Sequence, residues 1–274
     1  MKYWIEVGPN VRLFLEDINP KEKETILFVH GWPLSHDAFE YQYNEIPFQN
    51  IRCIGLDTRG FGKSTRPIHG YTYDQLADDL YEVIKAMNLD NITLLGHSMG
   101  AAIAIRYMAK YNQKHVKNLI LVGAAAPSLV RRDNFNFGVA KSSIDDLIHD
   151  AYQNRPQMLT TFSNMCFFQF ATDSLTNWFL NLGLEAAGYS TIQCAMTFRD
   201  EVLFQDLPKI TVPTLIIHGV HDRVAPYALA MVLRQAIANS TVIPFETSGH
   251  LPFYEEKRKF NKSVIDFVNK PNMS

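Results

Sequence analysis

Apolar residues in this chain fall in short, nearly unbroken runs: TILFV at 25–29, IRCIGL at 51–56, ITLL at 92–95, LILVG at 119–123, PTLIIH at 213–218 and TVIPF at 241–245. Most are too short for buried helices and lack the alternation of a strand with one wet face, so they predict strands covered on both faces of a parallel sheet. The opening differs. YWIEV and VRLFLE flank the turn-forming GPN, which predicts an antiparallel hairpin at a sheet edge. Between the runs the period becomes helical, most clearly over 73–88, where Leu76, Leu80, Val83, Ile84 and Met87 share one face. Thr72 and Gln75 have capping-box spacing there, and Tyr71 and Leu76 are placed for a hydrophobic staple. A closing helix after Pro252 carries Phe253, Phe260, Val264 and Phe267 at helical spacing.

Strands alternating with helices predict an α/β protein with a mostly parallel, eight-stranded sheet flanked by helices. One stretch breaks the alternation: from Pro127 to Leu207 the patterns are helical, without a buried strand. The expected organisation is therefore a core of residues 1–126 and 208–274, with a helical cap, 127–207, inserted before the last two strands. Such a cap sits over the carboxyl edge of the sheet, where open α/β sheets bind ligands. Most of its Phe162, Met165, Phe167, Phe168, Phe170, Trp178 and Phe179 are expected to pack the cap onto the core, and a minority to line a pocket.

Composition narrows the function. At 274 residues, 47% hydrophobic and 20% charged, the chain suits a globular fold with a large core. The net charge of −2 comes from 26 basic and 28 acidic residues scattered along the chain, with no basic stripe for a phosphate backbone, so nucleic-acid binding is not expected. Neither a signal peptide nor a run of about 18 apolar residues is found, so no membrane span is expected. Cys53, Cys166 and Cys194 lack metal or disulfide spacing, in keeping with a cytoplasmic setting. Both monomer and homodimer stay open.

The chemistry centres on GHSMG at 96–100, where a strand meets a helix of small residues. So short a link forces a sharp turn with Ser98 at its apex, and Gly96 and Gly100 avoid collisions with the flanking elements. The turn exposes Ser98 Oγ at a helix amino terminus, a place that favours developing negative charge. A simple N-cap serine would not need both glycines. The partners follow in the order acid then histidine: Asp222 after PTLIIH, and His250 in SGHLPFYEE before the closing helix. Asp200 and Asp206 are weaker rivals for the acid, and His218 and His221 have supporting places. The N–H of Met99 and that of Trp32, in HGWPLSH, are the candidate oxyanion donors, with His30 and Gly31 shaping the loop. DTRGFGKS at 57–64 lacks the phosphate-loop spacing, so Asp57 and Arg59 are expected to brace a loop. No cofactor or metal constellation is expected.

Taken in order, HGWP, DTRGFGKS, GHSMGAA, HGVHDRVAP and SGHLPFYEE resemble the α/β-hydrolase superfamily over nearly the whole chain. Within it the chain looks most like bacterial serine carboxylesterases grouped with cofactor-free haloperoxidases and perhydrolases. The resemblance implies Ser98, Asp222 and His250 as a catalytic triad, oxyanion donors at Trp32 and Met99, and acyl-enzyme hydrolysis of a small to medium apolar ester, aryl ester or lactone. Perhydrolysis at the same site, carbon–carbon bond hydrolysis, and slow turnover in a ligand receptor are the alternatives. A serine in the elbow argues against dehalogenases and epoxide hydrolases, whose nucleophile is an aspartate.

Overall fold

The computed structural model describes residues 1–270. Its eight strands are β1 (Lys2–Gly8), β2 (Val11–Ile18), β3 (Glu24–Val29), β4 (Ile51–Leu56), β5 (Ile92–His97), β6 (Val116–Val122), β7 (Thr214–Gly219) and β8 (Ser240–Phe245). They form one sheet in the order β1-β2-β4-β3-β5-β6-β7-β8. The opening hairpin is antiparallel and sits at one edge, β2 pairs antiparallel with β4, and all remaining pairings are parallel. Every residue of β5 and β7 is buried, as their unbroken apolar runs require. β8 departs from that pattern because it is the other edge: Thr241 is exposed and Val242, Ile243 and Pro244 are partly open. Proline is tolerated there, where the ladder ends.

The helices are α1 (Glu40–Tyr43), α2 (Tyr73–Ala86), α3 (Met99–Lys110), α4 (Lys141–Cys166), α5 (Asp173–Glu185), α6 (Gly188–Asp200), α7 (Ala228–Ala236), α8 (Pro252–Glu255) and α9 (Lys257–Val268). On α2 the predicted stripe of Leu76, Leu80, Val83 and Ile84 is buried, while Met87 caps the end. Its capping box is half formed. Thr72 Oγ1 accepts the Gln75 N–H at 3.3 Å, but the Gln75 amide turns to Asp79 Oδ1 at 3.2 Å instead of back to the cap. The predicted single closing helix is two: α8 is one turn, and Glu256 (φ −119, ψ 46) breaks the path before α9. Phe253, Phe260 and Val264 are buried, whereas Phe267 is only partly so.

Helices α4, α5 and α6 lie between β6 and β7 and form the lid over the sheet. The path of α4 breaks at Asn154 (φ −154, ψ 76), two residues before Pro156, which supplies no N–H and crowds the preceding turn. Asn154 Oδ1 accepts the Gln157 N–H at 3.2 Å and so caps the second half. The lid rests on the loop after β4. Gly60 O accepts the Ala187 N–H at 3.0 Å and the Ser190 hydroxyl at 2.9 Å, and Gly60 has φ +83 with no room for a Cβ beside Ser190. Beneath it Arg59 makes a two-bond fork to Asp79, each bond 2.5 Å, with both side chains buried. Asp57 Oδ1 accepts the His36 backbone N–H at 2.8 Å, and its Oδ2 accepts the Lys63 N–H at 2.8 Å. DTRGFGKS is thus a braced seat for the lid.

Removing one member of a buried ion pair leaves the other buried without its counter-charge, so Arg59→Leu is expected to cost about 3–5 kcal/mol of folding stability. Urea unfolding of the variant beside wild type measures this; a loss under about 1 kcal/mol would mean the pair adds little to the seat.

Candidate active site

Between the last residue of β5 and the first of α3 there is one residue, Ser98, and it alone turns the chain, with φ 54 and ψ −116. A non-glycine residue in this region is strained and persists only where its surroundings fix it. Here the Ser98 N–H donates to Val122 O at 2.8 Å, and Ser98 O accepts from Ala101, Ala102 and Ala125. The hydroxyl makes no N-cap bond, so it is not spent on the helix. A Cβ at Gly96 would strike Gly100 O and lie 2.6 Å from Ala101 Cα, and one at Gly100 would strike Val29 O and lie 2.5 Å from His30 O. A Cβ at Gly31, in the loop after β3, would lie 2.9 Å from Ser98 Cβ. Three glycines therefore let three segments close around one serine.

Asp222 follows β7 and His250 follows β8, and the two meet: His250 Nδ1–H donates to Asp222 Oδ2 at 2.7 Å. Asp222 Oδ1 accepts the N–H groups of Val224 and Ala225, each at 2.8 Å. His218 Nε2 donates to Ala225 O at 2.7 Å and stands 3.2 Å from Asp222 Oδ2. Burial pushes the Asp222 pKa up, but the His250 and His218 rings more than offset it and hold the carboxyl well below the usual carboxylate range. With Nδ1 turned to Asp222, the other ring nitrogen, Nε2, is buried and has no partner among the described residues.

Ser98 and this pair converge on the loop after β6. Gly123 (φ +49) follows Val122, the acceptor for Ser98, and a Cβ on it would lie 3.3 Å from His250 Nδ1 and 3.5 Å from Asp222 Oδ2. From the other side His97, next to Ser98, donates from Nε2 to His250 O at 2.9 Å, with the two rings 4.8 Å apart. Complete burial holds the His97 pKa well below the usual histidine value, so this neighbour adds no positive charge. Ser98 Oγ and His250 are not themselves hydrogen-bonded.

The other candidates separate cleanly. Asp200 pairs with Arg199 at 2.7 Å and Asp206 with Arg106 at 2.9 Å, both in ion pairs rather than beside His250. His221 stacks on Phe168 at 3.7 Å, and His218 supports Asp222. His30 braces its loop, accepting the Thr58 N–H on Nε2 at 3.0 Å. The donors of Glu16, His36 and Asp37 lie within 4.8 Å of one another, but His36 Nδ1 is bonded to Asp57 at 2.7 Å, and the two acids face Lys2 and Lys63. Burial works to lower the His36 pKa, and these carboxylates outweigh it and raise it, as expected for an ion-pair network.

Ser98, Met99 and Trp32 line a cavity of about 150 Å³. The lid supplies Ile144, Leu147, Phe162, Met165 and Phe198 to its wall, and Arg223 is its sole charged lining residue. A far smaller space, about 10 Å³, lies beside His250 and shares the Trp32 and Phe162 walls. Of the lid residues singled out from the sequence, Phe162 and Met165 line the larger cavity, Phe167 and Phe179 are buried in packing, and Phe168 and Phe170 are 45% and 92% exposed. Neither the Trp32 nor the Met99 backbone N–H is paired within the described residues, while the Trp32 indole is tied to the lid through Thr191 O at 2.9 Å. No helix among the described residues is long and apolar enough to cross a membrane.

An eight-stranded, mostly parallel sheet with a serine at a strand-to-helix elbow defines the α/β hydrolases, and the chain belongs to that family: the alpha/beta hydrolase fold family matches residues 24–257. It is 46% identical over 98% of its length to YisY, an AB hydrolase superfamily protein of Bacillus subtilis (strain 168), and covers 100% of that protein. It is 27% identical to a bifunctional esterase/perhydrolase of Acinetobacter calcoaceticus, over 97% of this chain and 99% of the relative. The esterase EaEST from Exiguobacterium antarcticum superposes with a TM-score of 0.96 at 41% identity, covering 98% of this chain and 100% of that one. The chain is a hydrolase of the group that holds esterases and non-heme haloperoxidases.

Because the folded-state pKa of Asp222 is depressed, its contribution to stability is complete above the unfolded value of about 3.9 and is lost as pH falls toward the folded value. Melting temperatures of wild type and Asp222→Asn are expected to differ by a steady amount above about pH 5 and to draw together progressively as pH falls below about 4. Parallel curves from neutral to strongly acid pH would contradict this account of the carboxylate.

Proposed function

We propose that the protein is a serine hydrolase that cleaves small carboxylic esters through an acyl-enzyme. The observation that carries this reading is the buried His250, oriented through Nδ1 by Asp222 with Nε2 unpartnered, at the same sheet edge as the strained, uncapped Ser98. In the proposed mechanism Nε2 takes the Ser98 proton as Oγ attacks the ester carbonyl, and the imidazolium is stabilised by the Asp222 carboxylate. The Trp32 and Met99 N–H groups receive the oxyanion. His250 then returns its proton to the departing alcohol, and water activated by the same nitrogen releases the acid.

Cavity size and lining support the substrate class. An apolar space of about 150 Å³ is of the order that accommodates one benzene-sized ring, which suits a compact acyl group better than a long chain. The partner is accordingly a small, largely apolar ester or aryl ester, and the proposed steps call on no cofactor. Hydrogen peroxide in place of water would give a peracid by the same steps, a reading favoured by the esterase/perhydrolase relative.

A p-nitrophenyl ester series from acetate to octanoate, run with wild type beside Ser98→Ala, tests this reading. The expected result is turnover that peaks at short acyl length and falls by about 10³-fold or more in the variant. A folded Ser98→Ala protein that keeps over about a tenth of wild-type activity would remove Ser98 from the chemistry.

A further inference from the structure

The segment that ends α4 is bonded to both loops carrying the proposed acid and base. Cys166 O accepts the His250 N–H at 2.8 Å. Phe167 O accepts from Arg223, the residue after Asp222, at 2.6 Å, and Phe168 stacks on His221, the residue before it. Gln169 Nε2 donates to Thr247 O at 2.7 Å. At the centre of these contacts is Glu255, the last residue of α8. Its Oε1 accepts the N–H groups of Phe168 and Gln169 at 2.8 and 2.7 Å, and its Oε2 accepts that of Gly249 at 2.6 Å.

Nothing cationic pairs with this carboxylate among the described residues; three backbone amides from two distant segments satisfy it. Its neighbour Glu256 differs. Glu256 holds the same loop through Thr247 N–H and the Ser248 hydroxyl, pairs with Lys259, and makes no hydrogen bond to the lid. Space is tight where Glu255 acts: a Cβ on Gly249 would lie 2.7 Å from Cys166 O and 2.9 Å from Phe168 N. The loop before His250 therefore touches the lid backbone directly, and the Glu255 carboxylate neutralises the convergence of three N–H dipoles there by accepting from all of them.

We propose that Glu255 is a positioning residue for His250, fixing the base against the docked lid by holding the Gly249 amide and the Phe168 and Gln169 amides on one carboxylate. The inference rests on the role proposed for His250. Helix α4 gives Phe162 and Met165 to the cavity wall immediately before the segment that Glu255 holds. The substrate wall and the base loop are thereby one connected body. In Glu255→Gln the side-chain shape is kept, but its NH₂ faces an amide N–H, so one of the two sides is released.

The test is a double-mutant cycle on p-nitrophenyl acetate hydrolysis with Glu255→Ala or Glu255→Gln and His250→Ala, assayed well below the melting temperature of each protein. With His250 present, either Glu255 substitution is expected to lower kcat about 10–100-fold while KM moves less than about threefold. With His250 already removed, the same substitution is expected to change the residual rate by less than about twofold. Equal losses in both backgrounds, or a lowered melting temperature with kcat intact, overturn the proposal and leave Glu255 a structural clamp. If Glu255→Ala does not fold, the near-isosteric Gln variant decides. Wild-type activity in His250→Ala alone would reject the base assignment and this inference with it, whereas a large His250 effect with an additive Glu255 effect rejects only the inference.

Discussion

One backbone turn governs the arrangement of this protein. Ser98 reverses the chain between β5 and α3 in a conformation costing of the order of 1–3 kcal/mol, and the rest of the site is built to hold it there. Hydrogen bonds to the last residue of β6 and from Ala125 in the loop after it fix its backbone on one side, and Gly31 and Gly100 allow the β3 loop to close on the other. Because the strain belongs to a residue with a free hydroxyl, relaxing the turn would also withdraw the proposed nucleophile. The buried β5 and the small-residue face of α3 are the framework that prevents this relaxation.

Electrostatics at the neighbouring loops obey the same logic of enforced geometry. A buried carboxylate is tolerated only when its oxygens are met by donors, and Asp222 meets two backbone N–H groups and a histidine ring. This fixes the His250 ring by one nitrogen and leaves the other without a partner among the described residues. His97 occupies the space beside it as a neutral ring, donating to the His250 carbonyl and leaving the charge balance to Asp222. The loop of the proposed base is thus tied to the strand of the proposed nucleophile by a second histidine.

How much of this the sequence discloses depends on the range over which each cause acts. The strands, the stripe on α2 and the elbow are written locally, in apolar runs and in GHSMG, so they can be read directly. The split of the closing helix could not be read, because Phe253 and Phe260 keep a helical spacing across the break at Glu256. Gln75 was half legible: its spacing marks the cap, but its amide is drawn to Asp79 in the Arg59 fork, a contact the local pattern does not contain. The pairing of Asp222 with His250 is implied by loop order, yet the links from His97 to His250 and from Glu255 to the lid join residues far apart in sequence. The two acids after SGHLPFY were the available signal, and only packing against the lid distinguishes the first from the second.

The lid is consequently more than a cover. Its α6 end is held by Gly60 and by the Trp32 indole, which places it on the loop proposed to supply an oxyanion donor. Its α4 end is held by Glu255 and by the bond between Cys166 O and His250 N–H, which places it on the loop of the proposed base. A lid attached only by surface contacts could vary without touching the chemistry. This one is hydrogen-bonded to both sides of the elbow, through the Trp32 indole on one and the main-chain bond between Cys166 O and His250 N–H on the other, so a substitution that reshapes Phe162 or Met165 acts on the helix whose end holds the His250 loop. In the proposed reaction, substrate size and placement of the base would be coupled through this single element, partly by way of the Cys166 carbonyl, a backbone group that side-chain patterns along the chain do not reveal.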